Sequence, residues 1–446
     1  MHSAASVMTP HACVRRWRCR SVESERRNCR SCQRRRMEVT MTESSPPMRT
    51  WLAAPMDRDV SEAIERLRHA PDVKQIAVMP DVHLAADVCI GVVVATSHLI
   101  YPQAVGGDIG CGMLAVAFDL EAVSLEHPPT AEHVLRQIGR AVPARRRNRR
   151  ATIALPIDIE SIRLSHPSIE AIRRREGAIE FATVGSGNHF IELQADEAGR
   201  LWLMVHSGSR FIGQGIRDHH MARAEAVGSG LRVLDVRSEA GVAYLHDASW
   251  ARRFADASRR AMASAVGDVL AAALGGRICW ETAISTDHNH TSQEQHGGQE
   301  LLVHRKGAMP AANGEAGVLP GSMGSASFHV EGRGCADALC SSAHGAGRIL
   351  SRTAARQKIT EASRRSAVCV QGHQSRASSA TRIGQGDSRA APDSQLQGRL
   401  TRIRSRRALG DGEGDVDPGR HRHPCVRSPN HSEQPQRGSG RRRYIA

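Results

Sequence analysis

The stretch Ser341-Ser342-Ala343-His344-Gly345-Ala346-Gly347-Arg348 carries the strongest signal in this sequence, because a histidine stands directly before small residues. Glycine has no Cβ atom, so the backbone at Gly345 and Gly347 can approach a bound phosphate closely. A His-Gly pair also occurs in ordinary turns, and the stretch alone would not identify a site. It becomes informative because five further stretches of similar composition precede it.

Those five stretches place Asp, Cys, His or Ser beside glycine or another small residue. They are Asp108-Ile109-Gly110-Cys111-Gly112-Met113, Gly187-Asn188-His189-Phe190-Ile191-Glu192, Val205-His206-Ser207-Gly208-Ser209-Arg210, Asp287-His288-Asn289 and Pro320-Gly321-Ser322-Met323-Gly324. Carboxylate, thiolate and imidazole groups together are typical of a mixed transition-metal site, and a thiolate can bridge two ions. For any one histidine, a hydrogen-bonded core residue is the more ordinary interpretation. The whole set instead favours a metal and nucleotide site.

Taken in this order, the six motifs resemble those of the RtcB family of RNA-splicing ligases, from about Met48 to about Arg356. The resemblance implies an enzyme that depends on GTP and on two manganese ions. Such an enzyme joins an RNA 2′,3′-cyclic phosphate or 3′-phosphate end to a 5′-hydroxyl end through a His–GMP intermediate, in tRNA splicing or RNA repair. RNA is the implied partner, and an activating protein is left open.

The resemblance also implies roles for individual residues. Cys111 bridges the two manganese ions, with Asp108 and His189 at one ion and His206 and His288 at the other, and His344 is the nucleophile. The implied guanosine nucleotide site comprises Asn188, His189, Phe190, Ile191, Glu192, His288, Asn289, Pro320, Gly321, Ser322, Met323, Ser327, His344, Gly345, Ala346 and Gly347.

Each of three more side chains has two possible interpretations. Arg210 and Arg348 are either phosphate partners, since a guanidinium fork matches a phosphate, or structural ion-pair residues. His83, in Met79-Pro80-Asp81-Val82-His83, has a functional interpretation, in which it supports the site or faces RNA, and a purely structural one.

The formal charge of +15 belongs to the two ends of the chain. Residues 1–40 carry a net +7 and residues 357–446 a net +10, which leaves −2 for residues 41–356. No apolar run reaches the roughly 20 residues that span a bilayer, and no signal peptide is evident, so we expect no membrane partner. Eleven cysteines without regular spacing indicate free thiols in a reducing, cytoplasmic setting.

The patterning divides the chain into three parts. Residues 1–47 form an Arg/Ser-rich extension without a core, residues 48–356 a ligase-like domain, and residues 357–446 an Arg/Ser/Gly-rich tail; both ends are expected to be disordered. The middle mixes helices and strands without a βαβ repeat, which predicts an α+β fold with its site on strand ends and loops. Predicted helices cover 61–69, 130–142 and 249–274, and predicted strands cover 75–79, 91–96, 181–193, 201–207 and 301–305.

The end of the chain leaves the function open. The resembled family closes with an ordered segment bearing a nucleotide-contacting lysine, but no lysine follows Lys358 here, and the loss of pattern is interpreted as a reading-frame shift. The first hypothesis is an active RNA ligase. The alternative is a catalytically impaired RtcB-like protein that binds RNA or nucleotide without turnover. A basic RNA-binding protein and a metal hydrolase are weaker candidates.

Overall fold

The structure is a computed structural model, and it describes residues 45–52, 55–321, 325–345 and 399–403. Helices and strands are mixed along the described chain, which confirms the α+β prediction. The helices are α1 (Arg58–Arg68), α2 (Pro128–Ala141), α3 (Ile157–Glu160), α4 (Pro167–Glu180), α5 (Arg210–Arg223) and α6 (Glu239–Leu274). The strands are β1 (Met48–Thr50), β2 (Val73–His83), β3 (Ile90–Thr96), β4 (Leu99–Ile100), β5 (Gly112–Glu121), β6 (Phe190–Ala195), β7 (Arg200–Ser207), β8 (Glu225–Ala226), β9 (Arg232–Asp235), β10 (Ile278–Asp287), β11 (Asn289–His296), β12 (Gln299–Lys306), β13 (Ala308–Pro310), β14 (Ala316–Leu319), β15 (Ser327–Glu331), β16 (Ser341–Ala343) and β17 (Arg399–Ile403).

Two larger sheets organise the described residues. One has the order β1-β2-β3-β12-β11, and the other has the order β10-β5-β7-β6-β17-β15-β14. Neighbouring strands in the second sheet run antiparallel. Register therefore brings the start of β5 beside the ends of β7 and β10, with Gly112 opposite both Ser207 and Asp287. The start of β6 reaches the same edge, where Phe190 lies opposite His206.

The largest core cluster lies between the second sheet and α6. Side chains alternate between the two faces of β5, so Leu114 and Val116 point towards this cluster. The cluster also contains Phe254 and Met262 of α6. The intervening Met113 packs in a separate cluster on the opposite side. Burial on both faces explains why β5 is apolar at successive positions.

Helix α6 is longer than its Ala-rich sequence indicated. It begins at Glu239, ten residues before the predicted start, where the Ser238 side chain accepts a hydrogen bond from the Gly241 amide. Tyr244 and Asp247 are fully buried in this first part. Tertiary burial thus extends the helix beyond the segment with high intrinsic propensity.

The predicted strand over 181–193 is wrong for residues 181–189, which lie before β6. Gly185 and Gly187 adopt φ angles of +106° and +99°, so the chain turns there and the strand begins at Phe190. The other four predicted strands lie within β2, β3, β7 and β12, with differences only at their ends.

Five residues of the C-terminal tail are described, and they form β17. This strand pairs with β6 on one side and β15 on the other, which the sequence did not predict because its pattern is not that of a core strand. Its place in the sheet therefore rests on main-chain hydrogen bonds to the neighbouring strands β6 and β15. Except for residues 45–47, the extension lies outside the described residues, as does the rest of the tail, so the boundaries at 47 and 356 remain predictions. Among the described residues, no helix combines the length and apolar character needed to cross a bilayer.

Candidate metal and nucleotide site

The first group of candidate ligands joins the loop before β5 to the loop before β6. His189 Nε2 lies 2.8 Å from Asp108 Oδ2 and 3.3 Å from Cys111 Sγ. The three donor atoms lie within 4.8 Å of one another, which is close enough for one metal ion to contact all of them.

The second group shares the cysteine with the first. Cys111 Sγ lies 3.3 Å from His206 Nε2, which in turn lies 3.1 Å from His288 Nε2. All three residues are buried, and their donor atoms also lie within 4.8 Å of one another. The structure therefore brings together all five predicted metal ligands, in the two triads that the resemblance implies.

Hydrogen bonds at the outer ring nitrogens determine which imidazole atoms are unprotonated. His206 Nδ1 lies 3.0 Å from the Asn188 carbonyl oxygen and must donate to it. His288 Nδ1 lies 3.3 Å from Asn289 Oδ1, an oxygen that also accepts the Gly307 amide. The two facing Nε2 atoms consequently both present lone pairs, an arrangement that favours a bound cation.

The electrostatics of the second triad agree with neutral imidazole ligands. Burial is the main reason why the pKa values of His206 and His288 lie well below the usual range, and the neighbouring histidines add to it. Burial and the Asp108 carboxylate raise the pKa of the Cys111 thiol. A thiolate there therefore requires a nearby cation, and the donor set suits one.

Asp108 is held ionised at the edge of this cluster. Burial opposes its ionisation, but the charge and hydrogen bond of His189, with smaller effects of Cys111 and Arg210, lower its pKa to about 2. The Arg210 amide lies 3.3 Å from Asp108 Oδ1, and its guanidinium Nη1 lies 3.4 Å from His189 Nδ1. Arg210 adopts a φ of +63°, a strained conformation for a side-chain-bearing residue.

His344 lies next to the second triad, just after β16. Its ring centroid is 4.6 Å from that of His288, and its Nδ1 lies 2.7 Å from Asp81 Oδ2. The Asp81 side chain is fully buried on β2, whereas His344 is 14% exposed. Sequence reasoning missed Asp81, although a single carboxylate inside an apolar strand was a usable signal. The nearby His83 is half-buried, with Nδ1 2.9 Å from the Asp81 carbonyl oxygen.

The predicted nucleotide residues fall into three sets. Glu192 and Ser327 are buried and meet through Gln194, whose amide nitrogen lies 3.1 Å from Glu192 Oε2 and 3.3 Å from Ser327 Oγ. The Ser327 hydroxyl also accepts the Gly321 amide at 3.1 Å. Gln194 was not predicted from the sequence.

A second set adjoins the histidines. Asn289 donates to the Asp108 carbonyl oxygen at 3.1 Å, the Phe190 ring lies 5.3 Å from that of His206, and a Cβ placed on Gly345 would lie 3.7 Å from Pro320. The third set comprises residues that are exposed, packed against the core, or outside the described residues. Asn188 is exposed and Ile191 packs against the large core, while Ser322, Met323, Ala346 and Gly347 lie outside the described residues.

Arg259 of α6, also missed by the sequence analysis, ties two site loops together. It is 2% exposed and donates to the carbonyl oxygens of Gly110 at 2.8 Å and Ser207 at 2.9 Å. Strands β5 and β10 also pack closely at this point, because a Cβ on Gly112 would lie 2.2 Å from the Thr286 carbonyl oxygen. The geometry of the triads thus depends on both α6 and the β5–β10 pairing.

Comparison with known proteins points to one family. A family model described as tRNA-splicing ligase RtcB matches residues 63–167 and 158–388. The RNA-splicing ligase RtcB of Escherichia coli K12 is 34% identical over 352 residues, covering 72% of this chain and 85% of that protein. The RNA-splicing ligase RtcB of Mycobacterium tuberculosis H37Rv is 31% identical, covering 65% and 83% respectively. The tRNA-splicing ligase RtcB of Methanococcus maripaludis is 25% identical, covering 68% and 79%.

Proposed function

The chain belongs to the tRNA-splicing ligase RtcB family and is an RNA ligase, and from this premise we propose that its reaction depends on GTP and manganese. The substrates would be RNA ends carrying a 2′,3′-cyclic phosphate or 3′-phosphate and a 5′-hydroxyl, as in tRNA splicing or RNA repair. The main support for the proposal is that the two triads share the Cys111 thiol and that the His344 ring lies directly beside His288 of the second triad.

The proposed metal residues fit two manganese ions. Asp108 and His189 would hold one ion, His206 and His288 the other, and Cys111 would bridge them. Bound ions would supply positive charge that offsets the charge of the nucleotide and RNA phosphates.

His344 is the proposed nucleophile. Asp81 Oδ2 lies 2.7 Å from Nδ1, so a proton on that nitrogen would lie beside a carboxylate and Nε2 would be left unprotonated, which makes Asp81 a positioning residue. Nε2 forms a bond to the α-phosphorus of GTP, and the bond to pyrophosphate breaks. A 2′,3′-cyclic phosphate end is first hydrolysed by water to a 3′-phosphate, with the 2′-oxygen released as a hydroxyl. The guanylyl group then passes from Nε2 to the RNA 3′-phosphate, which frees the histidine. The RNA 5′-hydroxyl attacks that phosphate, and GMP leaves with the bonding electrons.

The nucleotide would lie across the residues around the triads. Glu192 and Ser327, joined by Gln194, offer a carboxylate and a hydroxyl that can read a guanine edge. Asn188, Phe190, Asn289, Pro320 and Gly345 would complete the binding surface near His344. We also propose a reducing, cytoplasmic location, which the free thiols of the five cysteines in the described part support.

Guanylylation with α-³²P-GTP tests the nucleophile. The full chain should become labelled in the presence of manganese, and His344→Ala should lose the label while retaining manganese. His133→Ala, an exposed histidine of α2, is the matched control and should label normally. Undiminished labelling of His344→Ala would move the nucleophile elsewhere.

Manganese content tests the shared ligand. Cys111→Ala should lose both ions, because one thiolate serves both triads, whereas the free thiol Cys279 can be replaced by Ala without loss. Elemental analysis showing a full manganese content in Cys111→Ala would contradict the assignment.

Residues 359–446 contain no lysine, which favours a second candidate, a ligase body that binds RNA or nucleotide without turnover. Single-turnover and multiple-turnover ligation separate the two. Labelling without any joined RNA would support the impaired protein, and repeated joining would support the active ligase.

A further inference from the structure

Residues 145–150, here called the arginine loop, form a basic surface that the proposed reaction does not use. Arg147 anchors the loop, since its guanidinium donates to the carbonyl oxygens of Ala141, Phe181 and Ala182 at 3.1, 3.2 and 2.9 Å. Its amide donates to the Ile179 carbonyl oxygen at 2.8 Å. The loop is thus fixed against the end of α4.

The remaining arginines differ in their partners. Arg146 lies 3.2 Å from Glu176 Oε2 and 3.5 Å from Glu180 Oε1. Arg149 and Arg150 are exposed, and within the described part of the chain neither forms an ion pair with a carboxylate. Two adjacent guanidinium groups therefore face solvent and can receive anions.

The arginine loop begins at the edge of the proposed metal site. Just before it, the carbonyl oxygens of Pro143 and Ala144 accept the amides of Val184 and Gly185 at 3.1 and 2.8 Å. Gly185 has no room for a side chain, because a Cβ there would lie 1.8 Å from Arg210 Nη1 and 2.4 Å from His189 Nδ1. Five residues of chain span at most about 18 Å, so Arg149 lies within that distance of Ala144.

An exposed aromatic ring lies on the same side of the site. Phe211, the second residue of α5, is 44% exposed, and its amide donates to Glu180 Oε2 at 3.0 Å. The other oxygen of Glu180 faces Arg146, so one carboxylate contacts both Phe211 and the arginine loop. Phe211 also directly follows Arg210, which contacts Asp108 and His189.

We propose that the arginine loop and Phe211 form a docking surface for a single-stranded RNA end that enters the site past Arg210 and Gly185. This rests on the proposed function, which makes RNA the substrate. Arg149 and Arg150 bind two phosphates of the strand backbone through their guanidinium forks. The Phe211 ring stacks on an unpaired base, a contact that a single strand offers and a paired duplex does not.

Salt dependence of RNA binding tests the two arginines. The full chain is titrated with a fluorescent single-stranded RNA that carries hydroxyls at both ends, so that no joining occurs. In Arg149→Gln/Arg150→Gln the slope of log K against log salt should fall by about 1.4, since each phosphate contact on a single strand contributes roughly 0.7. The control Arg58→Gln/Arg333→Gln removes the same charge from two exposed arginines elsewhere and should leave the slope unchanged. Equal slopes for the two double variants would overturn the proposal.

Stacking is tested separately. Phe211→Ala should weaken RNA binding by about 5- to 150-fold, the range expected for loss of one stacked base, and Phe211→Tyr should restore it. Val242→Ala, at an exposed apolar position of α6, is the control. A 4-thiouridine near the RNA 3′ end should cross-link to the peptide that contains Phe211. Cross-links confined to other peptides, or unchanged binding by Phe211→Ala, would show that this surface does not hold RNA.

Guanylylation without RNA separates this proposal from the function on which it rests. All the loop and Phe211 variants should label with GTP as the unmodified chain does. If the unmodified chain fails to label yet binds RNA through this surface, the proposed reaction fails and the docking surface stands. If it labels but the variants bind RNA normally, the docking surface alone fails.

Discussion

Arg305 is a buried cation on which the position of His344 depends. It is 1% exposed and forms an ion pair with both carboxylate oxygens of Glu294 on β11. It also donates to Ser341 Oγ at 2.9 Å and to the Leu339 carbonyl oxygen at 3.1 Å. The side chain therefore joins β11 and β12 to the strand that leads into His344.

The pKa of Glu294 gives the size of this interaction. Burial opposes ionisation of the carboxyl group, but the Arg305 guanidinium, with Ser292 and His296, lowers the pKa from 4.5 to about 2. That difference corresponds to about 3 kcal/mol of folding free energy. Because the folded pKa lies below the unfolded one, the contribution is complete above about pH 4.5 and disappears as the pH falls towards about 2.

We therefore expect Arg305→Met to lower the free energy of unfolding by up to about 3 kcal/mol at pH 7, since it removes the cation from a half-buried carboxylate that retains Ser292 and His296 as partners. Glu294→Gln should cost less, because an amide keeps some of the hydrogen bonds. The double variant Arg305→Met/Glu294→Met should be more stable than Arg305→Met alone, because it leaves no carboxylate without its cation.

Urea denaturation at pH 7 and pH 4 measures these differences, and α-³²P-GTP labelling reports whether His344 keeps its place. Arg260→Met is the control, because Arg260 is exposed and its partner Asp256 is only half-buried, so their pair should contribute no more than about 1 kcal/mol. A cost below about 1 kcal/mol for Arg305→Met, or a double variant less stable than Arg305→Met, would refute the reasoning.

Three further substitutions test the surroundings of the site. Asp81→Asn should slow guanylylation of His344 by about 100-fold or more without unfolding the chain, because the wrong imidazole nitrogen would carry the proton; rapid-quench labelling and circular dichroism check this. Gly112→Ala should lower stability by about 1–3 kcal/mol and reduce manganese content, because its Cβ would lie 2.2 Å from the Thr286 carbonyl oxygen. Burial lowers the pKa of His304 to about 4, so its neutral form stabilises the fold fully above about pH 6.5 and progressively less towards pH 4. His304→Gln should therefore lose less stability than the unmodified chain between pH 7 and pH 4.5 in urea titrations, and an equal loss would contradict this.

The sequence predicts the α+β class because local patterns determine local structure. It also indicates candidate site residues, since most of the motifs set a reactive side chain beside glycine or another small residue. Cys111, His206 and His288 come from three separate motifs, and the structure brings them together because β5 begins where β7 and β10 end.

Contacts between residues distant in sequence could not be predicted in this way. Asp81 and His344 are separated by most of the domain, and neither motif indicates that the carboxylate lies beside the ring. Arg259 sits in an Ala-rich helix, where an arginine is ordinarily exposed, and only the packing of α6 buries it. The pairing of β17 depends on sheet edges created by residues far earlier in the chain.

The two carbonyl oxygens bound by Arg259 give α6 a part in the reaction that its position would not suggest. A single nitrogen, Arg259 Nη1, contacts both the loop that holds Cys111 and the strand that holds His206, so moving these two segments apart would break hydrogen bonds made from the middle of a 36-residue helix. Opening of the site and opening of the helix then form one cooperative unit. Ions that hold the triads together would consequently slow amide hydrogen exchange along α6, so that the state of the metal centre can be read in a helix that provides none of its ligands.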